Sequence, residues 1–261
     1  MAVKYILLKK RKGAIYMKYT ARYTTRWHDT DAFRRVRPTE LLVYMQETSN
    51  SHIKSLGCSL DELRDQKKLA FILSKIRLAI YEPLYMGEDI SVETWTYATH
   101  GIGTGRFYRI VKDGKAVAEA DTTWVLVDLE AGGLAHVDRC GYPFEHEEVP
   151  TVEIPSRLKV PKEESFEEIG RRRIVYSDLD YNMHMNNTKY ADMLMDYIPL
   201  EETERVKGFL LSYLREASYG DVLSIQSKRV GDSYYFKTVN KEGRVCLEAQ
   251  VLLDEERLGR N

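Results

Sequence analysis

The sequence predicts an α+β fold made of two similar domains, each with one helix packed on an antiparallel β-sheet. Two observations lead to this prediction. Three segments recur in the same order in the two halves of the 261-residue chain. Four of the seven prolines lie between residues 143 and 161, in a stretch without sustained apolar periodicity, as is typical of a linker. A repeat with so long a period indicates a duplicated domain and not a solenoid.

Three pairs of segments make up the repeat. The first pair aligns two Asp-x-Asp motifs, the second aligns two apolar strands, and the third aligns two hairpins that turn at a glycine, Gly114 or Gly243. The pairs are residues 27–47 with 175–196, 71–78 with 209–216, and 106–121 with 234–250. We therefore expect an N-terminal domain over residues 1–137, in which residues 1–15 form an extension outside the repeat, a linker over residues 138–168, and a C-terminal domain over residues 169–261.

Each copy contains one amphipathic helix that follows a polar loop. The first helix is predicted over residues 39–56, with Thr39 as its N-cap and Gly57 just beyond its C-terminus. The second helix is predicted over residues 187–198, where apolar residues recur at helical spacing up to Pro199.

Long antiparallel strands account for most of the remaining sequence. Residues 89–99, 116–128 and 222–230 are rich in Val, Ile, Thr and Trp and partly alternate between apolar and polar side chains. The glycines at positions 101, 103 and 105 lack the final glycine of a dinucleotide-binding fingerprint and lie between strand-like segments. They therefore indicate a turn.

Composition and charge exclude several classes of protein. The chain is 43% apolar and 30% charged, which is typical of a folded soluble domain, and its formal net charge of -1 provides no field for non-specific nucleic-acid binding. It contains no apolar stretch of the roughly 20 residues that would span a bilayer, nor a signal-peptide core. Three cysteines without C-x-x-C spacing predict neither disulfides nor a metal site. We expect a cytoplasmic protein without a metal or cofactor.

A polar cluster, Asp180-x-Asn182-x-His184, lies between a predicted strand and the second helix. A carboxylate, an amide and an imidazole beside helix N-terminal N–H groups can orient water and stabilise an oxyanion. A structural alternative exists, because Asn and Asp are common in loops and helix caps, and a single His is usually a polar surface group.

Comparison of the two copies favours catalysis. Three polar positions of the second copy align with residues of the first copy that cannot handle protons. The aligned pairs are Asn182 with Phe33, His184 with Arg35, and Glu216 with Leu78. A scaffold role would predict polar residues in both copies. Asp31 and Asp180 are present in both, which indicates that this aspartate is partly structural.

Residues 177–190, SDLDYNMHMNNTKY, resemble the active-site signature of the acyl-acyl carrier protein thioesterases, and the similarity extends over residues 16–254. This resemblance implies tandem hot-dog domains, each a long central helix packed on an antiparallel β-sheet. It also implies a catalytic set of Asp180, Asn182, His184 and, in a Tyr-x-Arg-Glu segment, Glu216. The next residue is often cysteine in plant members but is Ala217 here, and this departure from the family pattern excludes a thiol nucleophile at this position.

The implied reaction is hydrolysis of fatty acyl-acyl carrier protein (acyl-ACP), which releases free fatty acid and ends chain elongation. In one hypothesis Glu216 activates water, while His184 positions the water or protonates the leaving thiolate. Asn182 and helix N–H groups would polarise the thioester carbonyl, and Asp180 would hold the loop and balance charge on His184. In the competing hypothesis a carboxylate attacks and forms an anhydride.

The resemblance further implies an apolar acyl slot in the first domain and a basic face for an acidic carrier protein. The candidate lining residues are Leu41, Leu42, Met45, Phe71 and Leu73, with an ordinary core as the alternative. The candidate docking residues are Arg34, Arg35, Arg37, Arg171, Arg172 and Arg173, with a solvated charged face as the alternative.

Three other functions compete with this one: an acyl-CoA thioesterase, a non-catalytic module that binds acyl chains or carrier protein, and a hot-dog dehydratase. The Asn-bearing signature and the duplication within one chain favour the thioesterase. We expect neither a nucleic-acid partner nor a membrane span. Both a monomer and a homodimer are compatible with the sequence, since the duplication already provides two domains.

Overall fold

The computed structural model describes residues 18–143, 151–160 and 165–254. The predicted extension over residues 1–15 lies outside these ranges. The described residues form two compact units. The first contains the residues up to Ser74 together with those from Tyr81 to Val152, and the second contains Lys75–Ile80 and the residues from Glu153 onwards. No helix among the described residues is long and apolar enough to cross a bilayer.

The first unit is an antiparallel sheet with a helix against it. Its strands are β1 (Tyr19–Thr24), β2 (Leu69–Ile80, of which residues 69–74 belong here), β3 (Asp89–His100), β4 (Gly103–Lys112), β5 (Lys115–Asp128) and the short β6 (Gly133–Leu134). The strand order is β1-β3-β4-β5-β2, and β6 pairs with β5. Helix α1 (Pro38–Ser55) contacts β1 and β3. A short helix, α2 (Leu60–Asp65), and a 3-10 helix, Val137–Cys140, contribute to a small apolar cluster.

The second unit repeats this architecture. Its strands are β7 (Glu167–Arg173), β8 (Val206–Tyr213), β9 (Val222–Val230), β10 (Ser233–Val239) and β11 (Val245–Leu253), in the order β8-β11-β10-β9-β7. The segment Lys75–Ile80 of β2 pairs antiparallel with β8 within the same unit. Helix α3 (Lys189–Met195) buries four of its side chains, and the Tyr190 ring packs edge-on against Tyr213 of β8.

The α+β class and the strands predicted from the sequence are confirmed. The structure has β3 where residues 89–99 were predicted, β5 at 116–128 and β9 at 222–230. The predicted hairpins turn at Gly114 and Gly243, whose positive φ angles of 78° and 74° explain the preference for glycine. Residues 101 and 102 form the predicted turn between β3 and β4.

The helix predictions are only partly correct. Helix α1 lies within one residue of the predicted bounds, although its N-cap is Arg37 and not Thr39. Helix α3 has seven residues, so the prediction of a long helix over residues 187–198 is wrong. After Met195 the chain tightens into i→i+3 hydrogen bonds, from Tyr197 N to Leu194 O at 3.2 Å and from Ile198 N to Met195 O at 3.1 Å. Pro199 then prevents a helical continuation.

Candidate active site

The polar loop before α3 is closed by a single carboxylate. Oδ1 of Asp180 accepts hydrogen bonds from the backbone N–H groups of Asn182, at 2.8 Å, and His184, at 3.3 Å. The Asp180 N–H donates to His184 O at 2.8 Å, and Met183 between them has a left-handed φ of 65°. Such a backbone conformation is unfavourable for methionine, so the hydrogen bonds to Asp180 hold the loop in place.

Further hydrogen bonds tie this loop to the segment that follows β8. The Met185 N–H donates to Ala217 O at 2.8 Å, and the Tyr219 N–H donates to Met183 O at 3.3 Å. Because Glu216 directly precedes Ala217, these bonds bring its side chain to the loop. The hydroxyl of Tyr213, at the end of β8, donates to Asn187 O at 2.8 Å and fixes the approach to α3.

His184 and Glu216 form the central pair of the site. Nε2 of His184 lies 3.4 Å from Oε2 of Glu216, and the side chains are 31% and 54% exposed. This separation is slightly longer than a usual N–H···O hydrogen bond. An imidazole and a carboxylate that face each other and remain open to water can accept a proton from one group and deliver it to another.

The structure assigns Asp180 a different contact from the one expected. The sequence suggested that this carboxylate balances charge on His184, but it bonds to the His184 backbone N–H, and the carboxylate near the imidazole belongs to Glu216. Asn182 is partly exposed, and its backbone is held by Asp180. A polarising role for the Asn182 amide stays a prediction.

The loop before α1 has the same backbone geometry without the proton-handling residues. Oδ1 of Asp31 accepts from Phe33 N at 2.8 Å and Arg35 N at 3.0 Å, and Arg34 has a φ of 64°. Arg35 stands at the sequence position that corresponds to His184, and its guanidinium donates to Asp31 Oδ2 from Nη2 at 2.8 Å. The prediction that this aspartate has a structural role in both copies is confirmed.

The alignment of Glu216 with Leu78 is wrong by five residues. In the first unit the Val36 N–H donates to Leu84 O, and in the second the equivalent Met185 N–H donates to Ala217 O. Glu216 therefore corresponds to Pro83, whereas Leu78 is fully buried within β2. Apolar strands resemble each other at many registers, which explains the error. The corrected alignment still pairs Glu216 with a residue that cannot accept or donate a side-chain proton, because Pro83 has no such group.

Most of the candidate docking arginines are already paired. Four of them form ion pairs with a nearby carboxylate: Arg35 with Asp31, Arg37 with Glu40, Arg171 with Glu168, and Arg172 with Asp178. Arg34 and Arg173 are exposed.

The candidate acyl-lining residues do not share one environment. Leu41, Leu42 and Met45 are buried on α1, and Leu73 is buried in β2. Phe71 is only partly buried and packs against the apolar cluster of α2 and the Val137–Cys140 helix, beside Tyr142. Phe71 therefore has a local packing role at the edge of the first unit.

Two family models match the chain in succession. The acyl-ACP thioesterase N-terminal domain matches residues 16–139, and the acyl-ACP thioesterase C-terminal domain matches residues 160–254. The chain belongs to the acyl-ACP thioesterase family. This confirms the resemblance seen in the signature at residues 177–190.

Curated relatives from plants agree with this family. An oleoyl-acyl carrier protein thioesterase of Arabidopsis thaliana is 26% identical over 79% of this chain and 62% of its own length. A thioesterase of Coriandrum sativum with the same description is 24% identical over 90% of this chain and 69% of its own. An acyl-[acyl-carrier-protein] hydrolase of Cuphea viscosissima is 26% identical over 77% of this chain and 52% of its own length. The chain thus spans about half to two thirds of the length of these relatives.

Solved structures share the fold over nearly the whole chain. An acyl-ACP thioesterase from Bacteroides thetaiotaomicron superposes with a TM-score of 0.81 at 23% identity and covers 91% of this chain and 98% of its own. A 12:0-ACP thioesterase from Umbellularia californica gives a TM-score of 0.80 at 20% identity, and the match covers 90% of this chain and 96% of that structure. These likenesses confirm the tandem hot-dog fold.

The contacts of Asp180 predict different outcomes for two substitutions. Asp180→Asn keeps a carbonyl oxygen that can accept both backbone N–H bonds, so we expect thioesterase kcat within about threefold of wild type. Asp180→Ala removes the acceptor and releases the loop, so we expect at least a tenfold loss, equivalent to about 1.4 kcal/mol. Steady-state kinetics of both variants on an acyl-ACP substrate test this. An equal, large loss in Asp180→Asn would show that the negative charge itself is needed.

Proposed function

We propose that this protein hydrolyses the thioester of fatty acyl-ACP, releasing free fatty acid and ending chain elongation. The observation that carries the proposal is the 3.4 Å pairing of His184, in the loop before α3, with Glu216, in the segment after β8; the equivalent positions of the first unit hold Arg35 and Pro83. The scaffold is common to both loops, and only one of them carries proton-handling groups. Family membership supports the reaction.

In the proposed mechanism Glu216 takes a proton from a water molecule as that water attacks the thioester carbonyl. The C–S bond breaks as the tetrahedral intermediate collapses, and His184 passes the proton held by Glu216 to the leaving thiolate, which restores both side chains. Asn182 and backbone N–H groups at the start of α3 stabilise the oxyanion. The exposure of Glu216 supports water activation, since a hydrated carboxylate is a weaker nucleophile than a desolvated one.

In this proposal the two domains have different roles. The C-terminal domain, residues 169–261, carries the catalytic residues. The N-terminal domain, residues 1–137, holds the acyl chain against the α1 side chains Leu41, Leu42 and Met45 and against Leu73, and residues 138–168 connect the two domains. The burial of all four side chains supports an apolar lining. A cytoplasmic location also stays part of the proposal.

The first test is thiol release from matched acyl-ACP and acyl-CoA thioesters by wild type and His184→Ala. We expect wild type to hydrolyse the acyl-ACP panel preferentially and His184→Ala to lose about 10²- to 10⁴-fold in kcat, the usual contribution of a general acid or base.

His100→Ala, which alters a histidine of the first unit, is the matched control and is expected to retain wild-type activity. Preferential hydrolysis of acyl-CoA would identify the alternative thioesterase. No hydrolysis of either panel by folded wild type would contradict the proposal and support a binding module.

The acidic carrier protein is the proposed partner. Of the six arginines that the sequence suggested, the structure favours Arg34 and Arg173, because both are exposed while the other four are held in ion pairs. A charge already neutralised within the protein contributes little to attracting a partner.

Charge reversal tests this docking proposal. We expect Arg173→Glu and Arg34→Glu each to raise KM for acyl-ACP about three- to tenfold at low ionic strength with little change in kcat, and the effect to shrink as salt is added. Arg171→Glu is the control, since Arg171 is paired with Glu168. Hydrolysis of an uncharged acyl-pantetheine thioester should respond to none of the three. An equal rise in KM for acyl-pantetheine would contradict a docking role.

A further inference from the structure

The buried face of α1 changes from apolar to polar along its length. Leu41, Leu42 and Met45 are followed on the same face by Thr48, Ser49 and His52, all buried. His52 lies seven residues after Met45, which is two helical turns or about 10 Å along the axis. The proposed acyl lining therefore leads along the helix to a buried imidazole.

Arg106 of β4 meets this imidazole in the interior of the first unit. Arg106 is only 6% exposed, and His52 is 3% exposed. Nη1 of Arg106 lies 3.1 Å from His52 Nδ1 and 3.2 Å from Thr94 Oγ1. Among the described residues no carboxylate pairs with Arg106, so its charge is buried beside neutral groups. An uncompensated buried cation is costly and favours the uptake of an acceptor.

The contact with Arg106 determines which nitrogen of His52 carries the proton. A guanidinium only donates hydrogen bonds, so Nδ1 accepts and Nε2 bears the hydrogen. Burial, together with the nearby Arg106 charge, lowers the pKa of His52 to about 3, which keeps the ring neutral at physiological pH. Nε2 is buried and has no hydrogen-bond partner within the part of the chain that the structure describes. The Tyr19 ring stacks on the imidazole at 5.5 Å between centroids and fixes its plane.

We propose that His52 and Arg106 form a binding site for a hydrogen-bond-accepting oxygen carried by the acyl chain, so that the enzyme prefers oxygen-bearing acyl chains to unsubstituted ones. The site contains donors and a positive charge, which suits a hydroxyl or oxo group and suits a terminal carboxylate best, because a carboxylate also neutralises the guanidinium. An unsubstituted chain leaves the Nε2 donor of His52 unpaired and the guanidinium charge of Arg106 uncompensated, and such a mismatch gives strong discrimination. This inference rests on the proposed function, since it needs the acyl chain in the first unit.

Binding of non-hydrolysable probes tests the inference without relying on turnover. The probes are acyl-pantetheine amides in a series of chain lengths, each unsubstituted or carrying a hydroxyl, an oxo group or a terminal carboxylate, measured by calorimetry. We expect wild type to bind at least one oxygen-bearing probe about tenfold or more tightly than its unsubstituted match. Which substituent binds best distinguishes a neutral acceptor from an anion.

Three variants assign the preference to these residues. Arg106→Met should abolish it. His52→Leu removes the Nε2 donor and should also abolish it, whereas the matched His52→Gln keeps an N–H at the same distance along the side chain and should retain part of it. Thermal unfolding checks that each variant is folded, and if Arg106→Met is not, the two His52 variants decide.

Equal or weaker binding of every oxygen-bearing probe by wild type would overturn the inference, as would a preference that survives in Arg106→Met or in His52→Leu. Hydrolysis assays on the corresponding thioesters separate this outcome from failure of the proposed function. Hydrolysis of unsubstituted chains without any preference would support the thioesterase and reject the site. If the variants remove the probe preference but wild type hydrolyses none of the thioesters, the binding site would be supported and the thioesterase rejected.

Discussion

The geometry of the loop before α3 depends on one carboxylate oxygen. Oδ1 of Asp180 accepts the backbone N–H groups of Asn182 and His184, and these bonds hold Met183 in a left-handed conformation that methionine would otherwise avoid. With the loop closed in this way, the His184 imidazole meets the Glu216 carboxylate. The pair of His184 and Glu216 is therefore positioned by a residue whose own carboxylate contacts the backbone and not the imidazole.

Duplication explains how such a site can arise on a stable scaffold. The first unit retains the closing aspartate, Asp31, and the left-handed residue, but it carries Arg35 at the sequence position that corresponds to His184. That guanidinium is neutralised by Asp31 itself. The two loops therefore share one backbone scaffold, but only the second carries an imidazole that faces a carboxylate. The interior of the first unit contains a buried arginine, Arg106.

Local patterns made much of this predictable from the sequence. The strands and their glycine turns depend on neighbouring residues, and the structure agrees with them. The family signature at residues 177–190 is also a local pattern, and the family models confirm the resemblance. The length of α3 was overestimated, because i→i+3 tightening before Pro199 leaves little trace in apolar periodicity. The alignment of Leu78 with Glu216 is wrong because apolar strands resemble each other at several registers. The contact of His52 with Arg106 joins a helix to a strand 54 residues away, and no local pattern predicts it.

A double-mutant cycle on His184 and Glu216 tests the central claim most directly. The kcat of His184→Ala, Glu216→Gln and the double variant would be compared with wild type on one acyl-ACP substrate. If the two side chains act as one unit, the double variant should lose little more activity than the worse single variant. Losses that multiply independently would contradict the claim that these residues act together.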